Sequence, residues 1–142
     1  MDDTNTVDQL LKQAQLRHTP VRARVLMLLL EAKRPLSVPD ILRAMAQRSI
    51  AVTVYRTLGT LVEKGVVHRV RSEDRTWRYA MGDTKSPHTH HHPHFICEEC
   101  GKVQCLKQIE LPAGFVASLH LDKRYTIDYS EVMLHGVCPN CR

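Results

Sequence analysis

Residues 51–80 read AVTVYRTLGTLVEKGVVHRVRSEDRTWRYA. Apolar side chains recur at helical spacing over Ala51–Glu63, which predicts an amphipathic helix that Gly65 ends. Two β-rich runs, 66–70 and 76–80, follow on either side of a polar turn, which is the pattern of a two-stranded hairpin. The stretch therefore predicts one helix followed directly by a hairpin.

Three more helices are predicted before this one. Apolar spacing marks residues 7–14, and Thr19 caps the next helix with Pro20 at its first position, where a missing N–H costs nothing. Ser37 caps a third helix over about 38–47. Helices followed by a hairpin are typical of a winged helix-turn-helix, whose last helix enters the DNA major groove. A small helical domain with a solvated arginine face is the alternative that this pattern leaves open.

The charge balance favours a polyanionic partner. The 142 residues carry a formal net charge of +5 at pH 7, and most arginines lie between residues 12 and 78. Double-stranded DNA, bound by the N-terminal half, is the expected partner. No apolar run approaches the roughly 20 residues that a membrane span needs, and the first residues lack the features of a secretory signal. We therefore expect a cytoplasmic protein without a membrane partner.

Two Cys-x-x-Cys pairs mark the C-terminal part. Cys97 with Cys100, and Cys138 with Cys141, offer four thiolates that can close tetrahedrally around one structural zinc ion. Such a site leaves no open position for a substrate and can supply on the order of 10 kcal/mol to folding. Because a cytoplasmic protein keeps its thiols reduced, a redox pair or buried unligated thiols are the weaker alternative.

The segment between the two pairs is longer than a usual zinc-finger loop of about 15–20 residues, so it predicts a folded subdomain. Its patterns predict a strand over 102–106, a helix over 111–121 and a strand over 125–134. A stretch without periodicity precedes the first pair. The sequence therefore predicts an α+β protein with a winged-helix domain, a histidine-rich linker and a metal-binding domain, at 1–81, 82–94 and 95–142.

Four motifs together resemble the ferric uptake regulator (Fur) family. They are LRHTPVR at 16–22, TVYRTL at 53–58, a histidine run leading into FICEECGKV at 95–103, and GVCPNC at 136–141. The resemblance covers nearly the whole chain. It implies a metal-sensing transcriptional repressor, not an enzyme, with an N-terminal winged helix, a C-terminal dimerisation domain and metal as the corepressor. The working form would be a homodimer on operator DNA.

The second, sensing metal site departs from the iron-sensing pattern of the family. Pro35, Ala80, Pro93 and Ser130 stand where that pattern often places a ligand. The remaining candidates for the regulatory site are His68, His90, His92 and Cys105. Imidazoles with one thiolate suit Zn²⁺ better than Fe²⁺ or Mn²⁺, which prefer oxygen-rich octahedral sites. The positions of His68, His90 and Cys105 resemble ligand positions of the zinc uptake regulator (Zur) branch. Cys105 offers a thiolate where that branch has a carboxylate.

Other assignments of the metal-binding residues remain open. A further site could use His91, His94 and Glu110, and either of these two histidines could replace His92. The histidine run could also be a solvated loop, and Cys105 an ordinary buried thiol. Rival functions are an iron-sensing regulator, a zinc-dependent enzyme and a zinc-buffering protein, although no HExxH-type motif accompanies the histidines.

The predicted DNA-binding residues belong to the N-terminal domain. The outer face of the helix before the hairpin is expected to carry Thr53, Arg56, Thr57 and Thr60, with Tyr55 on its flank. Tyr55 and Arg56 are expected to contact operator bases, and hydroxyls such as that of Thr53 can hold phosphates. Arg17, Thr19 and Arg22 are expected to hold the DNA backbone nearby.

Overall fold

The computed structural model describes residues 3–47, 50–72, 74–82, 92–112, 114–127 and 130–142. The chain divides into two compact units, Met1–Pro87 and His88–Arg142. The elements of the first unit are α1 (Asp3–Gln13), α2 (Pro20–Ala32), β1 (Leu36–Ser37), α3 (Val38–Met45), α4 (Ala51–Glu63), β2 (Val67–Arg71) and β3 (Trp77–Met81). Those of the second are β4 (His94–Cys97), β5 (Val103–Cys105), α5 (Phe115–Ser118) and β6 (Met133–Gly136).

Side-chain caps start α2 and α3 where the sequence predicts them. The Thr19 hydroxyl accepts the backbone N–H of Arg22 at 3.3 Å, and Pro20 occupies the first turn of α2. Ser37 and Asp40 form a reciprocal capping box at the start of α3, with distances of 3.2 and 3.0 Å. These bonds satisfy N–H groups that the helix itself cannot pair.

The core of the first unit lies between the helices and the sheet. Its fully buried side chains come from all four helices, among them Val7, Leu11, Val25, Leu26, Ile41, Val54, Leu58 and Leu61. The expectation that Thr57 faces outward is wrong, because only 7% of it is exposed. Thr57 follows Val54 by three residues and precedes Leu61 by four, so it belongs to the buried stripe of α4.

The hairpin of the first unit carries a third strand. The sheet order is β1-β3-β2 with antiparallel pairing throughout. The two residues of β1 pair with Tyr79 and Arg78. Because β1 directly precedes α3, this pairing attaches the hairpin to the helical part of the unit. At its end, the N–H of Gly82 donates to the carbonyl of Val66 at 2.8 Å.

The second unit is a three-stranded sheet with little helix. Its order is β5-β4-β6, in which β4 is antiparallel to β5 and parallel to β6. The predicted helix over 111–121 shrinks to the four residues of α5, which begin after Gly114 at φ +81° and end before His120 at φ +50°. Left-handed residues interrupt a helix on both sides.

The last strand lies later than the sequence predicts. The structure places it at Met133–Gly136 and not over 125–134. The Tyr125 N–H donates to the Asp122 carbonyl at 3.0 Å and forms a turn there. Pairing with β4 begins only at Met133. Within the part of the chain that the structure describes, no helix is long and apolar enough to cross a bilayer.

Candidate metal centres and nucleic-acid interface

The two Cys-x-x-Cys pairs meet at one end of the second sheet. Cys97 ends β4, and the parallel register sets it opposite Gly136 of β6, two residues before Cys138. The four sulfur atoms of Cys97, Cys100, Cys138 and Cys141 lie within 4.8 Å of one another. The strand pairing therefore brings together two pairs that lie some forty residues apart in the chain.

The distances within this four-cysteine cluster fit a tetrahedral ion. Thiolates about 2.3 Å from such an ion lie about 3.8 Å from each other, and the Sγ atoms of Cys100 and Cys138 are 3.9 Å apart. A disulfide would need about 2.05 Å. The backbone N–H of Cys138 also donates to Cys97 Sγ at 3.3 Å, a contact that suits a thiolate ligand.

The titration behaviour of the cluster also suits a cation. Backbone N–H groups of Cys100 and Cys138 lower the pKa of Cys97 to about 6. Hydrogen bonding to the side chains of Cys138 and Cys100 raises the pKa of Cys141 to about 12. Four thiolates cannot ionise together at this separation without a positive charge among them, so a soft or borderline dication fits the cluster.

A second cluster of possible ligands lies in the same unit, at the other end of β4. The β4–β5 register sets His94 directly opposite Cys105, and the His92 and His94 rings are 5.0 Å apart. His92, His94 and Cys105 each offer a ligand atom within 4.8 Å of the others. Two imidazoles and one thiol provide a mixed nitrogen and sulfur donor set.

Two neighbouring features of this His-His-Cys cluster bear on metal binding: the protonation of Cys105 and a carboxyl group beside His94. Burial raises the pKa of Cys105 to about 11, against a lowering by Lys107, so the thiol must release a proton to become a ligand. Glu131 Oε1 lies 3.8 Å from Nδ1 of the buried His94, and burial raises the pKa of this carboxyl. A carboxylate beside a ligand imidazole is a common orienting partner. The sequence contains no signal for it, because Glu131 lies 37 residues from His94.

The predicted regulatory residues are only partly brought together by the second unit. His92 and Cys105 lie in the His-His-Cys cluster, and His94, which sequence reasoning placed in a further site, lies with them. Glu110 is exposed and belongs to neither metal cluster of the described residues. His90 and His91 lie outside the described residues. His68 is buried in β2 of the first unit, where the register sets it opposite Ala80.

The predicted DNA-contacting residues lie on the first unit. Thr53, Tyr55 and Arg56 are exposed on α4, and Tyr55 keeps 57% of its surface accessible. These three side chains form an outward face of α4 opposite its buried stripe.

The predicted backbone contacts surround the start of α2. Arg22 Nη1 donates to the carbonyl of Arg17 at 2.8 Å, while the Thr19 hydroxyl caps α2. The side chains of Thr19 and Arg22 therefore stabilise this turn through hydrogen bonds to the backbone. Arg17 is exposed beside them.

Comparisons with known proteins agree with this architecture. The family model described as the ferric uptake regulator family matches residues 13–113. The ferric uptake regulation protein of Bacillus subtilis (strain 168) is 30% identical over 144 residues, which cover 96% of this chain and 95% of that protein. The zinc uptake regulation protein of Escherichia coli (strain K12) is 30% identical over 151 residues, with 98% and 85% covered.

A solved structure is similar over the same length. A zinc uptake regulator complexed with zinc and DNA superposes with a TM-score of 0.74 at 27% identity, and the match covers 99% of this chain and 95% of that one. The family match spans most of the chain, and both relatives match nearly all of it. The chain belongs to the ferric uptake regulator family, whose members are metal-responsive transcription regulators and not enzymes.

Proposed function

We propose that this protein is a zinc-responsive repressor that binds operator DNA as a homodimer, with zinc as its corepressor. The observation that carries the proposal is the donor set of His92, His94 and Cys105. Zinc accepts imidazole and thiolate in a tetrahedral shell, whereas Fe²⁺ and Mn²⁺ favour more oxygen ligands and higher coordination. A solved relative that is itself a zinc uptake regulator supports the assignment.

A separate structural zinc is assigned to Cys97, Cys100, Cys138 and Cys141. Its four sulfur atoms complete a closed shell, so this ion would hold the second unit together and would not exchange readily. The small apolar core of that unit is consistent with a need for such an ion. Sensing is therefore assigned to the other cluster.

His68 is proposed as the fourth sensor ligand, with His90 as the alternative. The Fur family pattern expects a carboxylate or thiol near Ala80, at the end of the second wing strand. In the β2–β3 register His68 lies directly opposite Ala80. A histidine on the neighbouring strand can therefore supply a donor close to the position where this chain lacks one.

Sharing of one ion by the two units provides the switch. With His68 on the wing and Cys105 on β5 bound to the same metal, the angle between the units would become fixed. A fixed angle in each protomer sets the distance between the two α4 helices of a dimer, which must match the half-site spacing of an operator. Linkage then requires operator DNA to tighten zinc binding by the same factor.

Exposed apolar side chains on the second unit support the homodimer. Seven of them keep 43–69% of their surface accessible: Ile109, Leu119, Leu121, Tyr125, Ile127, Leu134 and Val137. Apolar exposure concentrated in so small a unit is typical of a protein interface. A twofold dimer would bury the same patch on both copies.

DNA contact is assigned to the outward face of α4 and the turn before α2. Tyr55 and Arg56 would reach base edges, and Thr53 the phosphates. Arg17, Thr19 and Arg22 would hold the backbone beside them. The solved relative in complex with DNA supports this use of the fold.

Metal-dependent DNA binding tests the proposal. Protein from which the exchangeable metal has been removed would be titrated with Zn²⁺, Fe²⁺, Mn²⁺ and Ni²⁺. Each titration would contain duplex DNA from upstream of the gene that encodes the protein. We expect Zn²⁺ to produce a gel shift at the lowest free concentration. Preferential activation by Fe²⁺ would establish the iron-sensing alternative, and a protein that binds zinc without any DNA shift would be a zinc buffer.

A further inference from the structure

The hairpin of the first unit carries two arginines stacked on one tryptophan. The guanidinium carbon of Arg69 lies 4.5 Å from the centre of the Trp77 ring, and that of Arg71 lies 5.8 Å away. Arg71 and Trp77 are also direct partners in the β2–β3 register. The indole therefore holds two positive charges on one exposed edge of the sheet.

A third arginine of the hairpin is used differently. Arg78 binds both carboxylate oxygens of Asp74 at 3.3 Å and contacts the Ser72 hydroxyl, so its charge is balanced locally. Among the residues that the structure describes, no carboxylate forms an ion pair with Arg69 or Arg71. Both guanidinium groups lie on exposed residues of the hairpin and have no carboxylate partner among the residues with described positions.

Stacking prepares these guanidinium groups for an anion. A guanidinium held over an aromatic ring can still direct N–H groups from its edge to phosphate oxygens. Because the ring already restricts the long side chain, less conformational entropy is lost when an anion binds. The hairpin edge therefore has the chemistry of a phosphate contact.

The hairpin strand that carries both arginines lies against α4. The β2–β3 register sets Arg69 directly opposite Tyr79, and β2 packs against α4, the helix that carries Tyr55. A duplex that contacts Tyr55 would pass close to Arg69. The positive edge and the proposed base-reading face therefore belong to neighbouring elements of one unit.

We propose that Arg69 and Arg71 grip backbone phosphates of the duplex whose bases α4 reads, with Trp77 as the residue that positions both guanidinium groups. This inference rests on the proposed DNA-binding function and extends it to a second element, the wing. The contacts carry affinity and orientation and not sequence preference, because a phosphate is the same at every step.

Salt dependence of DNA binding tests the phosphate contacts. We would compare zinc-loaded parent protein with Arg69→Ala, Arg71→Ala and the control Lys123→Ala, which removes one exposed positive charge from the second unit. Each hairpin variant should weaken binding to operator and unrelated duplexes alike. Each should also reduce the slope of log K against log salt by about 1 for every phosphate that the protein no longer neutralises.

The fluorescence of Trp77 gives an independent readout, because it is the chain's only tryptophan. Saturating DNA should change the Trp77 emission and lower its quenching by acrylamide. The midpoint of this change should equal the midpoint of DNA binding measured by fluorescence anisotropy of labelled duplex. Trp77→Ala should lower the salt slope as the arginine variants do, and Trp77→Phe should restore most of it by keeping an aromatic face. Thermal unfolding and zinc content of each variant verify that the fold is kept.

The outcomes separate this inference from the proposed function. If the parent shows no zinc-dependent DNA binding, the proposed function fails. If the parent binds DNA but folded hairpin variants keep its affinity and salt slope, or if Trp77 emission is unchanged at saturation, the wing contact is overturned. A decrease in affinity equal to that of Lys123→Ala would show only an effect of net charge and would also reject it.

Discussion

The backbone N–H of Cys138 donates to Sγ of Cys97 at 3.3 Å, across 41 residues of chain. This bond joins the backbone of the second Cys-x-x-Cys pair to a side chain of the first. The parallel β4–β6 pairing that precedes it is only four residues long. Contacts among the four cysteines therefore extend the connection between the two ends of this segment beyond the strand pairing.

Cys97→Ser is expected to remove the structural zinc and unfold the second unit. A missing ligand leaves a three-thiolate shell and deprives folding of several kcal/mol of binding free energy. Metal analysis should show one tightly held zinc fewer per chain, and size-exclusion chromatography should show loss of the dimer. Cys105→Ser is the control and should keep this zinc. A folded, zinc-free dimer of Cys97→Ser would refute the assignment.

Cys105→Ala is expected to abolish zinc-dependent DNA binding and to spare the dimer. The variant removes the only sulfur from the His-His-Cys cluster, so it should bind one exchangeable zinc fewer per chain. X-ray absorption of the parent should show one sulfur ligand at the exchangeable metal. A shell of nitrogen and oxygen alone would exclude Cys105 and remove the argument for zinc over iron.

Arg56→Ala is expected to weaken operator binding by about 1–3 kcal/mol and to relax specificity at one base pair, as removal of a bidentate hydrogen bond to guanine would do. Binding of parent and variant to a panel of single-base operator variants measures both effects. Lys123→Ala serves as the charge-matched control. Equal operator affinity in Arg56→Ala and the parent would show that α4 does not read the operator in this way.

Two glycine replacements are expected to have opposite signs. A Cβ at Gly82 would lie 2.6 Å from the Gly65 carbonyl oxygen, whereas one at Gly59 in α4 would meet nothing within 4 Å. Gly82→Ala should therefore lower the free energy of unfolding by about 1–3 kcal/mol, and Gly59→Ala should raise it by about 0.5–1 kcal/mol. Denaturant unfolding followed by helical circular dichroism measures both, and two changes of the same sign would contradict the packing.

Asp40→Asn is expected to lose stability in a pH-dependent way. Burial raises the pKa of Asp40, but hydrogen bonds from Ser37 and the nearby Arg34 and Arg43 lower it by more, so the net pKa is below its usual value. Because a depressed carboxyl pKa stabilises the fold only when the group is ionised, the parent should exceed the variant by about 0.5–1 kcal/mol at pH 7. The difference should shrink below about pH 4. A constant difference between pH 7 and pH 3 would exclude the charge as its cause.

Local chemistry decided how much of the fold the sequence could predict. The caps at Thr19 and Ser37 and the full extent of α4 follow from residues within a few positions of each other. Strand β1 has only two residues and exists because Tyr79 lies beside it. The position of β6 likewise depends on where β4 offers partners, which no local pattern encodes.

The candidate metal sites show the same division. The Cys-x-x-Cys spacing identifies all four members of the four-cysteine cluster, because each pair is local and the chemistry of four thiolates is specific. The choice among five closely spaced histidines is not local. It depends on the β4–β5 register, which sets His94 opposite Cys105.

Strand β4 carries a member of each metal cluster, with His94 at its first residue and Cys97 at its last. Three residues of strand separate them by about 10 Å, and the bond from the Cys97 N–H to the Lys102 carbonyl closes the turn between β4 and β5. His94 and Cys105 are paired across the same two strands that this turn joins. If both clusters bind zinc as proposed, the cysteine cluster would take up its ion once, during folding, and the cluster at the other end of β4 would exchange its ion on a strand that is already fixed.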